Sequence, residues 1–209
     1  MRTTLVIASL LAFGVSPVLA DDVNITVIGS DGKPVEGAVI TLNSPAASAL
    51  PTDQKQAIMD QVDKQFTPHV LVVQKNTEVA FPNSDSIRHH VYSFSPAKRF
   101  ELKLYKEFEA KPVTFEESGL VEIGCNIHDW MVGYIFVADS PYFAKTGIDG
   151  VATIDVPSDD YEITFWHPAA SFEDNEKVYS LNASEKMKTI QLEDELIEGL
   201  DFSTGFEEY

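Results

Sequence analysis

The 209 residues contain a single cysteine, Cys125. An intramolecular disulfide is thereby excluded, and an unpaired thiol in an exported chain is a liability unless it is buried, modified or metal-bound. Basic residues are also scarce, with 15 Lys and Arg against 33 Asp and Glu and a net charge of −18. Such a surface repels phosphate, which excludes nucleic acid as an expected partner. Beyond residue 20 no apolar run approaches the length needed to cross a bilayer, so no membrane span is expected. Histidines number only five, at 69, 89, 90, 128 and 167. What the chain does have is 44% hydrophobic residues, enough for a folded core in one or two domains.

The first 20 residues carry Arg2, an apolar run from Leu5 to Val15, and Ser16-Pro17-Val18-Leu19-Ala20 ahead of Asp21-Asp22. This pattern predicts a signal peptide at 1–20 with cleavage after Ala20, and a soluble exported protein, periplasmic in a Gram-negative cell. Cleavage removes Arg2 and leaves 14 basic against 33 acidic residues, a net −19 with histidines neutral.

After the leader the chain reads as β-structure. Asn24–Ile28 and Val39–Leu42 alternate on either side of Gly29-Ser30-Asp31-Gly32-Lys33-Pro34, a strand, turn and strand. A lone hairpin is marginal in water. A second such unit follows at Gly147-Ile148-Asp149-Gly150, Val151–Pro157 and Tyr161–Trp166, and the two are expected to pair. Together they resemble the carboxypeptidase-regulatory or transthyretin-like sandwich. Between 51 and 65 the period changes: Ile58, Val62 and Phe66 recur every four residues behind a Pro51-Thr52-Asp53 start signal, which predicts one short helix near 52–65. The last 19 residues include seven acidic ones, a peripheral element or a tail.

The segment Cys125-Asn126-Ile127-His128-Asp129-Trp130-Met131 places a thiolate, an imidazole and a thioether at its first, fourth and seventh positions. A second imidazole is available 36 residues before the cysteine in Arg88-His89-His90-Val91-Tyr92. Two imidazoles, one thiolate and a weak thioether form a copper set. Strand neighbours point to opposite faces, so one of His89 and His90 faces inward unless a bulge intervenes. Val121, Ile123 and Cys125 share a face, which carries the sulfur inward. Read without a metal, Cys125 is a small buried hydrophobe and Met131 is core packing.

The C-x2-H-x2-M spacing, the strand before it and the distant His followed by a β-branched residue resemble the blue-copper cupredoxins, within them the amicyanin- and plastocyanin-like proteins. The likeness runs over roughly 66–139 and takes in Phe66–Val73 and Lys75–Asn83. The whole chain is also similar to periplasmic proteins labelled methylamine-utilisation. The resemblance implies an all-β Greek-key sandwich at 66–139, joined through a helical linker at 51–65 to a small β-module built from 21–50 and 140–209. A single enlarged sandwich is the alternative architecture. It further implies one type 1 copper per chain, held by His89, Cys125, His128 and Met131. His90 stands where relatives carry asparagine, as a residue behind the ligands or an alternative ligand. Asn83 and Asn126 are candidates to brace the site.

His128 would face solvent as the port for electrons, with Ile127, Trp130 and Val132 as an apolar docking collar; Trp130 as core filler is the other reading. The implied function is single-electron transfer with a redox protein such as a c-type cytochrome or a periplasmic dehydrogenase. The acidity has two readings, electrostatic steering of a basic partner and plain solubility of an exported protein. No enzyme is expected, because a catalytic copper centre needs more histidines and a thiolate-bridged pair a second cysteine. The alternatives are a copper-handling protein or a non-redox β-sandwich interaction module.

Overall fold

The computed structural model describes residues 20–53, 56–107 and 110–197. The predicted signal peptide, apart from Ala20, and the acidic end from 198 onward lie outside the described residues.

The described residues form 17 strands and two four-residue helices, an all-β protein. The chain begins with β1 (Ala20–Ile28), β2 (Val39–Asn43), α1 (Pro45–Ser48), β3 (Gln56–Ile58), β4 (Asp60–Val62) and β5 (Gln65–Thr67). It continues through β6 (Val70–Gln74), β7 (Thr77–Ala80), β8 (His89–Ser93), β9 (Phe100–Tyr105), β10 (Val113–Phe115), β11 (Gly119–Cys125) and β12 (His128–Ala138). The last elements are β13 (Phe143–Lys145), β14 (Val151–Pro157), β15 (Tyr161–Trp166), α2 (Phe172–Asn175), β16 (Val178–Leu181) and β17 (Met187–Gln191).

Two hydrophobic cores organise these strands. The first is built from both ends of the described chain: sheet β14-β1-β17 faces sheet β13-β2-β15-β16, with Ile25, Ile40, Leu42, Ile154, Ile163, Phe165 and Ile190 between them. β1 and β2 fall in different sheets and so do not form the hairpin expected of them, but each pairs with a late strand as expected, with Ile25 opposite Ala152 and Ile163 opposite Leu42. The second core lies between the five-stranded sheet β6-β12-β11-β8-β9 and the sheet β10-β7-β3. Its residues include Met59, Phe66, Phe81, Val91, Phe115, Ile123, Cys125, Met131 and Ile135. Alternation explains the arrangement: in β11, Val121, Ile123 and Cys125 are buried while Glu122 is exposed.

Among the described residues of 52–65 the expected helix is absent. From Gln56 on, this segment is strand, and β4 and β5 form a hairpin that pairs Val62 with Gln65 around Asp63-Lys64. Ala57, Met59 and Gln61 are buried and Ile58 is 58% exposed, so the operative period is two rather than four. Both turn residues have positive φ, 51° at Asp63 and 60° at Lys64, the conformation of a two-residue hairpin turn. Aspartate followed by lysine is a faint signal for that turn, and the spacing of Ile58, Val62 and Phe66 suited a helix equally well. The segment is therefore part of the second core and not a helical linker.

A third cluster joins the two cores: Val39, Val70 and Trp166, with Val72, Leu120, Tyr134 and Phe136 against them. The Trp166 ring lies 5.2 Å from Tyr134 and 6.1 Å from Phe136. Lys145 Nζ donates to Val70 O at 3.0 Å across this seam. His69 is here too, edge-on to Tyr134 at 5.3 Å, close to the charges of His167 and Lys145. Burial drives its pKa down to about 4, helped by those two neighbours and opposed by a backbone hydrogen bond at Val132. A histidine with a lowered folded-state pKa is neutral in the native protein, so its stabilising share is complete above the unfolded value of 6.5 and is lost as pH falls toward 4. The urea midpoint should accordingly drop across that window, and His69→Gln should flatten the drop while retaining a side-chain hydrogen-bonding group.

Gly133 in β12 marks close packing of the second core. A Cβ there would stand 2.8 Å from Phe66 Cβ. Gly133→Ala is expected to cost about 1–3 kcal/mol through overpacking, read from urea unfolding.

Candidate metal centre

Three side chains converge where β8, β11 and β12 meet. His89 opens β8, Cys125 ends β11, and His128 opens β12 after a two-residue connection. One ligand atom from each lies within 4.8 Å of the others. Cys125 Sγ is 3.8 Å from His89 Nδ1 and 3.7 Å from His128 Nδ1. The imidazole rings are 5.0 Å apart.

These separations fit one metal ion. With metal–sulfur and metal–nitrogen bonds of about 2.3 and about 2.05 Å meeting at a trigonal angle, sulfur and nitrogen stand about 3.8 Å apart. Register shifts aim the side chains: one falls between Gly124 and Cys125, which lets Cys125 pair with His128. Another separates His89 from Val91 against β9.

His89 is the inward histidine. It is fully buried, and Nε2 meets Asp85 Oδ2 at 2.6 Å. A carboxylate only accepts, so Nε2 carries a proton and Nδ1 is left facing the sulfur. Nδ1 is thus the nitrogen that can shed its proton in favour of a metal while Nε2–H stays on Asp85. His90 points the other way and meets Glu101 Oε1 at 2.9 Å. The pair of histidines is thereby separated into one at the cluster and one at the surface sheet face.

Asp85 is the residue that sequence reading missed. Its carboxylate accepts the backbone N–H of Asp63 at 2.7 Å and of Lys64 at 2.9 Å, as well as His89. Burial opposes ionisation of Asp85, but these three donors outweigh it and hold its pKa below the ordinary carboxylate value. The hairpin turn therefore grips Asp85, and Asp85 grips His89. Its position four residues before His89 was the available clue.

Asn83 braces the same loop. Its Nδ2 donates to Ile87 O at 2.9 Å and to Tyr105 O at 3.0 Å, and its Oδ1 accepts the Asp85 N–H at 3.0 Å. Asn126 is exposed and lies on the rim of a cleft beside Cys125.

The surroundings of Cys125 shift its thiol toward ionisation. Burial raises the Cys125 pKa, but the His89 side chain and the backbone N–H groups of His90 and Ile127 bring it below the ordinary thiol value. His89 is pulled down by burial and more strongly up by Cys125 and Asp85, for a net rise. His128 is lowered by burial, then by the charges of His89 and Lys64.

Met131, three residues beyond His128, is 1% exposed in the second core and lines the same cleft as Cys125. Ile127 and Trp130 are 47% and 44% exposed, and the Trp130 ring lies 5.4 Å from His128. Trp130 is thus a surface residue beside the outer histidine and not core filler. Val132 is half-buried and borders the cleft beside Cys125 and Met131. His69 and His167 lie away from the cluster, with His167 Nδ1 accepting from the Ala169 N–H at 3.2 Å.

No protein-family model and no curated protein matches the chain. Among described helices none is long and apolar enough to cross a membrane. Solved structures similar to part of the chain are cupredoxins. A purple cupredoxin from Nitrosopumilus maritimus is 24% identical, covering 40% of this chain and 99% of that one with a TM-score of 0.35. Two reduced amicyanin variants have TM-scores of 0.36; one is 23% identical over 47% of this chain and 98% of its own, the other 25% identical over 49% and 100%.

Proposed function

We propose that this chain is a type 1 copper protein of the periplasm that carries single electrons, with His89, Cys125, His128 and Met131 as the residues that would hold the copper. The observation that carries the reading is the geometry of the cluster: Sγ stands 3.8 and 3.7 Å from two imidazole nitrogens, the spacing of ligands around one ion. A soft thiolate with two imidazoles and a thioether suits copper in both oxidation states.

Bound copper would supply the one-electron exchange between its two oxidation states. The chain's own residues do the rest. Asp85 fixes the orientation and protonation of His89, so that ligand is in place before the metal arrives. Backbone donors from His90 and Ile127 stabilise sulfur as thiolate in either state. Cys125 and Met131 are almost wholly buried, which limits the contact of water with the sulfur. His128, only partly buried and flanked by exposed Ile127 and Trp130, gives a redox partner the shortest approach. No substrate pocket is required, and the protein is a carrier and not an enzyme. Its partner in this reading is a c-type cytochrome or a periplasmic dehydrogenase, docking briefly through a small interface.

Titration with copper(II) tests the reading. One equivalent should develop an intense thiolate-to-copper band that bleaches on one-electron reduction and returns on reoxidation. A colourless protein that releases copper readily would favour copper handling instead. Trp130→Ala should slow electron exchange with a cytochrome partner while leaving the band in place, as stopped-flow mixing would show.

A further inference from the structure

The outward face of β8 carries a ladder of rings that the metal cluster does not use. His90 and Tyr92 have ring centroids 5.6 Å apart, and Tyr92 and Phe94 5.3 Å apart. Phe94 is 76% exposed and stands at the open end of this ladder, against Tyr92. Tyr92 lies across Gly124, where an added Cβ would meet its ring at 3.2 Å. Beside this contact is a cleft of about 350 Å³ bordered by Tyr92, Phe94, Glu122, Asn126, Asp129 and Val132, with Cys125 and Met131 in its wall.

The charge of this cleft has one sign. Glu122 and Asp129 line it, and no basic side chain does among the described lining residues. Glu101, opposite Tyr92 on β9, is already engaged by His90 at 2.9 Å and lies near the charge of Lys103. Ser95 Oγ accepts the Glu122 N–H at 2.9 Å and ties the loop after β8 to β11, which holds the rim in shape.

We infer that this cleft is a docking site for a basic segment of a partner protein, with an arginine or lysine side chain seated on the Tyr92 and Phe94 rings between the Glu122 and Asp129 carboxylates. Aromatic faces attract a cation, the carboxylates add charge complementarity, and a net charge of −18 concentrates basic partners around the protein. Gly124 and Cys125 both line the cleft, so a partner held there abuts the sulfur of the centre. The role of that contact in electron exchange rests on the copper reading; the docking itself does not.

The test is a nuclear magnetic resonance titration of the full chain, copper(I)-loaded and metal-free, with N-acetyl tetra-arginine amide. Saturable shifts should concentrate at 92–95, 122–126 and 129–132. Phe94→Ala should weaken binding about threefold through loss of the cation–π contact. Glu122→Gln with Asp129→Asn should weaken it about tenfold and reduce its salt dependence. Phe172→Ala, a remote exposed ring, should change nothing. Shifts spread evenly over the acidic surface, or affinity unchanged in Phe94→Ala and in the double variant, would overturn the site. Because the metal-free titration reads docking alone, failure to bind copper would count against the carrier reading and leave this result independent.

Discussion

Serine in place of Cys125 is expected to abolish the visible absorption of the copper-loaded protein while leaving its far-ultraviolet circular dichroism unchanged. The colour of such a centre arises from charge transfer between a thiolate and copper, and a serine hydroxyl neither ionises readily nor offers a soft donor. The fold should survive because the site asks little of that atom structurally. Cys125 is 3% exposed, and the N–H groups of His90 and Ile127 that reach its sulfur can still find an oxygen acceptor. In the proposed site His89 and His128 would remain, and they would hold copper weakly and without the thiolate band. Retention of the band in Cys125→Ser would place the chromophore elsewhere and refute the ligand assignment.

The second large effect is expected at Asp85, which touches no metal ligand atom directly involved in binding. Asp85→Ala should lower copper affinity about 10- to 100-fold, as loss of a carboxylate behind a ligating histidine generally does. It should also destabilise the metal-free protein by about 2–4 kcal/mol, because removing the carboxylate strips three donors of their acceptor and one of them, His89 Nε2–H, is buried. Asp85→Asn keeps an acceptor oxygen but loses the charge, and its losses should be smaller on both measures. Competition with a copper chelator and urea unfolding read the two quantities separately. An Asp85→Ala protein with native affinity would show that the hairpin turn does not set the orientation of His89.

These two predictions mark what could and could not be read from the sequence. Cys125, His128 and Met131 lie within seven consecutive residues, and the alternation of β11 gave the direction of the sulfur without any tertiary information. His89 was harder, since two adjacent histidines offer the same chemistry. The choice is made by a loop: Asp85 holds the ring of His89, while Glu101 draws His90 to the opposite face. The pairing of the N-terminal strands with the late ones was legible because each half is too small to bury its own apolar face, although β1 and β2 divide between two sheets and do not pair with each other.

The segment at 56–65 is strand and not the expected helix for a physical reason. Its apolar residues fit a four-residue period, and its turn, Asp63-Lys64, lacks the glycine or asparagine that usually announces two positive φ values. The helical expectation concealed function as well as fold, because the backbone N–H groups that clamp Asp85 belong to this turn. The contact spans 22 residues to Asp63 and 21 to Lys64, and no local pattern announces a link of that range.

X-ray absorption at the copper edge of the loaded protein, recorded in both oxidation states, addresses the central claim most directly. One sulfur and two imidazole nitrogens should appear at short distance from a single copper, with bond lengths nearly unchanged on reduction. A copper surrounded only by nitrogen and oxygen, or one that exchanges ligands when it is reduced, would contradict the account.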